Sequence, residues 1–150
     1  MKIEEEIKYK KFTNDFFKLD VNILFTSSWI ESQNTRYLKK YGISQQQYNV
    51  LRILRGQHPN MVMLSQITER MIDRMSNATR LVEKLRLKGY VTRETNPKNR
   101  RQVDISITPA GMKLLSELDT NWTDYVVSRF KNISEAEARH MNDLLDKIRG

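Results

Sequence analysis

The chain contains no cysteine among its 150 residues. This absence excludes a disulfide framework, a cysteine-ligated zinc or iron–sulfur site, and the sensing of oxidants through a thiol. Its two histidines, His58 and His140, lie far apart in the sequence, so no histidine-rich metal site is predicted. The longest apolar run is the four residues Met61 to Leu64, whereas a membrane helix requires about twenty. Because the N-terminus also lacks the apolar core of a signal peptide, we expect a cytoplasmic protein with no cofactor.

Positive charge is concentrated in one part of the chain. The whole sequence carries a net charge of +8, from 26 basic and 18 acidic residues. Residues 70–101 hold ten of the basic residues and three of the acidic ones, so this segment alone carries +7. Such a distribution is typical of a surface that binds a polyphosphate such as DNA. The alternative is an ordinary solvated charged surface.

Apolar residues at helical spacing predict helices at both ends of the chain. Residues 3–40 contain no proline or glycine and read as helical, with a break near Leu19 and Asp20 as one option. Thr108 followed by Pro109 is a strong helix start, and the helix that it opens should run to about Phe130. Ser134 with Glu137 forms a capping box that opens a last helix. These helices carry more apolar surface than a small domain needs, which favours burial against a second copy over intramolecular packing.

The middle of the chain, residues 44–108, reads as a compact unit of three helices and a β-hairpin. A helix should start at Ser44 and end near Gly56, and a short one should span about 64–71. Asp73 is the expected N-cap of a basic amphipathic helix that runs to Lys88, with an inward face formed at i, i+3, i+4 and i+7 by Ala78, Leu81, Val82 and Leu85. Strands near 90–95 and 102–108 follow, joined by a turn-rich segment with two arginines, 96–101. The predicted fold is therefore mainly α with a small β-hairpin wing, a winged helix-turn-helix flanked by terminal helices.

The run LVEKLRLKGYVTRETNPKNRRQVDISITPAG, residues 81–111, resembles the MarR family of bacterial transcriptional regulators. It is similar to the family's recognition helix ending in glycine, its Val-x-Arg strand, a wing written D-x-x-D-R-R and a closing Leu-Thr-x-x-Gly. Here Tyr90 separates Gly89 from Val91. Both acidic wing positions are asparagine, Asn96 and Asn99, and an asparagine can accept a hydrogen bond but cannot form the ion pair.

The resemblance implies one MarR-like domain over residues 1–150. Residues 3–40 and 110–149 would form the helical dimerisation region, and residues 44–108 would form the winged-helix DNA-binding region. It also implies a homodimer that binds a pseudo-palindromic operator in double-stranded DNA. Repression would be relieved by a small-molecule effector bound between the dimerisation helices and the winged-helix region of residues 44–108 (the reading head). Phe25, Trp29, Tyr37 and Tyr48 are candidates to line such a pocket, although aromatic residues at these spacings are more often core.

Within this frame, residue chemistry predicts the DNA-binding side chains. In the major groove arginine can grip guanine and asparagine can grip adenine, which favours Asn77 and Arg80 for base edges. The alternative for Arg80 is an ion pair with Glu83 on the same helix. Arg101 is the expected minor-groove probe. The full set of predicted DNA-binding residues is Arg74, Ser76, Asn77, Thr79, Arg80, Arg93, Lys98, Arg100 and Arg101.

Three other classes of function fit the sequence less well. An enzyme is disfavoured because no glycine-rich phosphate loop, metal-ligand cluster or nucleophile–base arrangement is visible. A winged-helix protein–protein adaptor without DNA readout has no evident use for the arginines of the wing. An RNA binder would be expected to show exposed aromatic residues on a strand face for base stacking.

Overall fold

The computed structural model describes residues 1–150 and consists of seven helices and a three-stranded sheet. The helices are α1 (Ile3–Glu6), α2 (Asp15–Lys39), α3 (Gln45–Gln57), α4 (Leu64–Arg70), α5 (Ala78–Leu87), α6 (Pro109–Arg129) and α7 (Glu135–Arg149). The strands are β1 (Val62–Met63), β2 (Val91–Asn96) and β3 (Asn99–Ile107). No helix is long and apolar enough to cross a membrane. The predicted class, mainly helical with a β-hairpin wing, is confirmed.

One continuous core joins the reading head to the adjacent parts of the terminal helices. Its largest fully buried side chains come from α2, α3, α4, α5, β3 and α6. The sheet is antiparallel, in the order β1-β3-β2. Strand β3 is therefore central, and it places the recognition helix and the wing in fixed positions against the same core.

The capping predictions were mostly confirmed. Ser44 and Gln47 cap α3 reciprocally, and Ser134 and Glu137 cap α7 in the same way. The hydroxyl of Thr108 accepts a hydrogen bond from the Gly111 amide at 3.1 Å and so caps α6. A capping side chain satisfies backbone N–H groups that have no partner within the helix. Each of these three helices therefore begins directly after its capping residue.

The prediction of one helix over residues 3–40 was wrong in its first third. The chain breaks between Ile7 and Asn14, not near Leu19. The Asn14 side chain accepts a hydrogen bond from the amide of Phe17 at 2.8 Å and so caps α2. Asparagine before an acidic residue is a helix-start signal. The short helix α1 folds back on α2, where Ile3 is buried and Glu4 pairs with Lys18 at 2.6 Å.

Two further boundaries differ from the prediction. The four-residue apolar run at Met61 contains a short strand, β1, that pairs with β3 and completes the sheet. The basic helix α5 begins at Ala78, because Asn77 and not Asp73 is its N-cap. Asp73 instead accepts hydrogen bonds from the Met75 amide and the Ser76 hydroxyl, which closes a turn before the helix.

Candidate nucleic-acid interface

The recognition helix α5 has one buried face and one exposed face. Ala78, Val82 and Leu85 are buried in the core, and Leu81 packs against it. This confirms the inward face predicted from the sequence. The exposed positions include Thr79, Arg80 and Lys84. Because α5 is amphipathic and its N-terminal half is exposed, its polar face is free to meet a ligand.

Two of the predicted DNA-binding side chains also have roles in holding the start of α5. The Asn77 side-chain oxygen accepts from the Arg80 backbone amide at 3.0 Å, and the Ser76 hydroxyl donates to the Asp73 carboxylate at 2.9 Å. Adenine recognition by asparagine requires both ends of its amide. Since the oxygen of Asn77 is engaged as a cap, the side chain has only its NH₂ group available. Arg74 and Thr79 are exposed and carry no such internal bond.

Glu83 on α5 neutralises two cations but leaves Arg80 free. Its carboxylate accepts from Arg86 at 2.7 and 2.9 Å and lies 3.9 Å from Arg93. The hydrogen bond from Arg86 lowers the pKa of Glu83 and raises that of Arg86. The alternative predicted for Arg80, an ion pair with Glu83, is not formed, because Arg86 occupies that carboxylate. Arg93 could therefore contact an external anion only by leaving its ion pair with Glu83, whereas Arg80 has no such pair to break.

The wing is longer and its turn tighter than predicted. Strands β2 and β3 extend to Asn96 and Asn99, so only Pro97 and Lys98 form the turn. The ladder is regular up to Thr95, which pairs with Val103, and then shifts to pair Asn96 with Asn99. Residues 100–102 form the resulting bulge. Such a bulge is unpaired in the ladder and redirects side chains, and here it carries both wing arginines.

Six basic side chains are exposed and make no intramolecular ion pair or hydrogen bond. They lie on α5, on its leading loop (residues 71–77, which precede the helix) and on the wing. Their charge is therefore available to an external anion. An exposed arginine held by a carboxylate, such as Arg86, would have to exchange one partner for another. The six are Arg74, Arg80, Lys84, Lys98, Arg100 and Arg101.

A compact junction connects the recognition helix, the wing and α6. Thr108 donates through its hydroxyl to the Gly89 carbonyl at 2.7 Å and through its amide to the Tyr90 carbonyl at 3.0 Å. Gly89 has a φ of +78°, the left-handed conformation that ends α5. At Gly111 a Cβ atom would lie 2.4 Å from the Tyr90 oxygen. The Thr-Pro-Ala-Gly segment thus allows α6 to start directly against the end of α5.

The four aromatic residues considered for an effector pocket fall into two groups. Tyr37 and Tyr48 belong to a cluster with Trp122, whose ring centroids lie 5.3 and 5.0 Å from theirs. Phe25 and Trp29 instead line a groove under α1. The Tyr37 hydroxyl is buried without a hydrogen-bond partner, and burial raises the pKa of this tyrosine to about 12.

The terminal helices expose a large apolar surface. Helix α7 buries no residue at all, and its apolar side chains Met141, Leu144 and Ile148 are about half exposed. Trp122 of α6 is not part of this exposed surface, because it packs against the protein's own core. A 15-residue helix is marginal without tertiary packing. Further exposed apolar side chains on these helices are Phe16, Phe17, Leu19, Leu24, Trp29, Val127 and Phe130.

Sequence reasoning did not identify Asp104 or the short strand β1. Asp104 is the one charged residue in the buried set, with 8% of its surface exposed. Its signal in the sequence is weak, since it occupies an outward position in the alternation of β3. Two amide side chains cover it, Asn96 and Gln102.

Comparison with known proteins agrees with this geometry. The family model described as the MarR family matches residues 43–103. The transcriptional regulator SarZ of Staphylococcus aureus is 30% identical over 138 residues, covering 91% of this chain and 88% of SarZ.

Two solved structures share the fold. A mutant of Escherichia coli MarR complexed with operator DNA superposes with a TM-score of 0.80 at 21% identity, covering 93% of this chain and 99% of that one. BpsR of Bordetella bronchiseptica, whose DNA binding is regulated by 6-hydroxynicotinic acid, superposes with a TM-score of 0.73 at 22% identity, covering 85% and 91%. With its sequence relatives and its winged helix, this chain belongs to the MarR family of transcriptional regulators.

Proposed function

We propose that the protein is a homodimeric repressor that binds a pseudo-palindromic operator in double-stranded DNA. The observation that carries the proposal is the set of six exposed, unpaired cations on α5, its leading loop and the wing. A free cation can neutralise a phosphate and release counterions without first breaking an internal pair. As a DNA-binding regulator, the protein would act in the cytoplasm.

Each predicted DNA-binding residue receives a role that fits its surroundings. Arg80 reads a base edge in the major groove, with Thr79 and Arg74 beside it. Ser76 and Asn77 act mainly by fixing the start of the recognition helix, and the Asn77 NH₂ group remains available for one contact. On the wing, Arg101 enters the minor groove, while Lys98 and Arg100 contact phosphates. Arg93 contributes when its pair with Glu83 opens.

The dimer would be built from residues 3–40 and 110–149, with residues 44–108 as the DNA-reading part. Helix α7 supports this division because all of its side chains are at least partly exposed in the single chain. An apolar stripe of this kind is stabilised by a symmetric partner. Two copies related by a twofold axis would present two recognition helices to half-sites about 10 base pairs apart.

A small-molecule effector would bind between the terminal helices and the reading head. The cluster of Tyr37, Tyr48, Trp122 and Tyr125 lies where α2, α3 and α6 meet. Its apolar rings and the unpartnered Tyr37 hydroxyl suit an aromatic ligand with a hydrogen-bonding group. The regulation of BpsR by 6-hydroxynicotinic acid supports this class of effector.

Selection of sites from random duplexes, followed by titration of the selected operator at several salt concentrations, tests the proposal. Each neutralised phosphate contributes about −0.9 to the slope of log K against log salt, so a dimer should give a slope on the order of −5 to −10. Equal affinity for all duplexes, or a flat response to salt, would support a protein–protein adaptor instead. Arg101→Ala should weaken binding most on operators with A·T-rich flanks.

A further inference from the structure

The buried carboxylate of Asp104 lies at the root of the wing, behind the turn. It accepts a hydrogen bond from the Asn96 side-chain amide at 2.7 Å and another from the Gln102 amide at 2.8 Å. No cation pairs with it, although a buried charge requires compensation by partners of this kind. Asp104 therefore depends on donors supplied by Asn96, the last residue of β2, and by Gln102, the last residue of the bulge.

Asn96 uses both ends of its side-chain amide. Its NH₂ group donates to Asp104, while its oxygen accepts from the backbone amides of Lys98 and Asn99 at 2.9 and 3.3 Å. An ionised aspartate offers only acceptors, whereas an asparagine offers two donors and an acceptor. Asn96 thus connects the buried carboxylate to the turn, and the amide is required because each of its ends meets a group of the opposite kind.

The connection continues to the wing arginines. The side-chain oxygen of Asn99 accepts from the backbone amide of Arg101 at 3.1 Å. The NH₂ group of Asn99 makes no hydrogen bond within the protein. The two asparagines of the wing are therefore different in kind, since Asn96 must donate and accept but Asn99 needs only to accept.

We propose that Asp104 is the positioning residue of the wing, and that it fixes the turn and the adjacent arginines through the bifunctional amide of Asn96. Asp104 touches no DNA in this proposal and acts only through Asn96 and Gln102. The consequence for DNA binding rests on the proposed function, whereas the consequence for wing order does not.

An aspartate at position 96 would replace the donor that faces Asp104 by an acceptor, and so turn this attractive contact into a repulsive one. Its carboxylate would face that of Asp104 at a distance where an amide now donates. Glu94 is the direct cross-strand partner of Asp104, so the same side of the hairpin would then carry three carboxylates. Like charges placed opposite each other across strands are destabilising.

The matched control is the same substitution at Asn99. Asn99→Asp keeps the oxygen that accepts from the Arg101 amide, and it adds the same negative charge near the DNA as Asn96→Asp. We expect Asn96→Asp to lower operator affinity roughly a hundredfold relative to Asn99→Asp, because each of the two wings of the dimer loses one hydrogen bond to a charged group, worth about tenfold. Equal affinities for the two variants would overturn the proposal.

Asp104→Asn separates wing order from simple charge. This substitution removes a negative charge, so long-range electrostatics alone would tighten DNA binding. The proposal predicts weaker binding, because an uncharged amide oxygen accepts the hydrogen bond from Asn96 less strongly than a carboxylate does. The double variant N96D/D104N restores complementary groups at every contact and should recover to within about threefold of the wild type, as expected for coupled neighbours. Tighter binding by the single variant, or no recovery in the double variant, would refute the role of Asp104.

Backbone amide exchange, measured by NMR without DNA, gives an independent readout. The amide protons of Lys98, Asn99 and Arg101 should exchange several-fold faster in Asn96→Asp and return towards wild-type rates in N96D/D104N. They should change little in Asn99→Asp. If the wild-type protein binds no operator while the exchange pattern holds, the proposed function fails and the positioning role stands. If exchange is unchanged in Asn96→Asp, the positioning role fails whatever the DNA affinity.

Discussion

The substitution Arg80→Ala tests whether the exposed face of the recognition helix reads bases. The Arg80 side chain is exposed and makes no ion pair, since Glu83 is occupied by Arg86. A bidentate arginine–guanine contact contributes about 1–3 kcal/mol of discrimination. A dimer makes this contact twice, so the variant should lose about 2–6 kcal/mol on the cognate operator. The loss should vanish when the guanine in each half-site is replaced.

The assay is fluorescence anisotropy on operators varied at one position at a time. Arg139→Ala is the control, because it removes a likewise exposed arginine from α7, outside the recognition helix and the wing, and leaves Glu83 occupied by Arg86. Thermal melts report folding, and exposed substitutions of this kind usually change stability by less than about 0.5 kcal/mol. A sharp fall in melting temperature with intact base preference would show that Arg80 is structural and that the reading face is wrongly assigned.

Three further substitutions probe packing and assembly. Gly111→Ala should destabilise the protein by a few kcal/mol, because its Cβ would lie 2.4 Å from a main-chain oxygen; in a thermal melt the control Gly56→Ala, with nothing within 4 Å, should be neutral or stabilising. Leu144→Glu places a charge on the exposed stripe of α7 and should shift sedimentation at micromolar concentration towards the monomer without lowering helix content. Tyr37→Phe removes a buried hydroxyl that has no partner and should leave the unfolding free energy unchanged or raise it by about 1 kcal/mol; a clear loss of stability would reveal a bond that the hydroxyl makes.

The sequence was most informative where one local signal acted without a competitor. Thr108 before Pro109 located the start of α6, and the spacing of Ala78, Val82 and Leu85 identified the inner face of α5. Each of these signals depends on neighbours within one helical turn, so distant packing had little to change. The basic character of residues 70–101 likewise reflects composition alone.

Prediction failed where two local solutions were close in energy. Asp73 and Asn77 are both good N-cap residues, and the structure uses the first for a turn and the second for the helix. The choice depends on tertiary contacts such as the hydrogen bond from the Ile72 amide to Asn49 at 2.9 Å. The burial of Asp104 is also non-local, because the amides that cover it are brought over it by the wing bulge.

The junction at Thr108 couples the recognition helix, the wing and α6 rigidly to one another. One residue separates the last residue of β3 from the first of α6, and its side chain is bonded to the end of the recognition helix. Helix α6 has 21 residues and is therefore about 32 Å long. A tilt of about 5° about one end of a rod of that length moves its other end by roughly 3 Å. In the proposed dimer, small adjustments at the far end of α6 would therefore reach the wing as displacements of the size of a hydrogen bond, and the spacing of the two wings on DNA would follow the angle between the two copies of this helix.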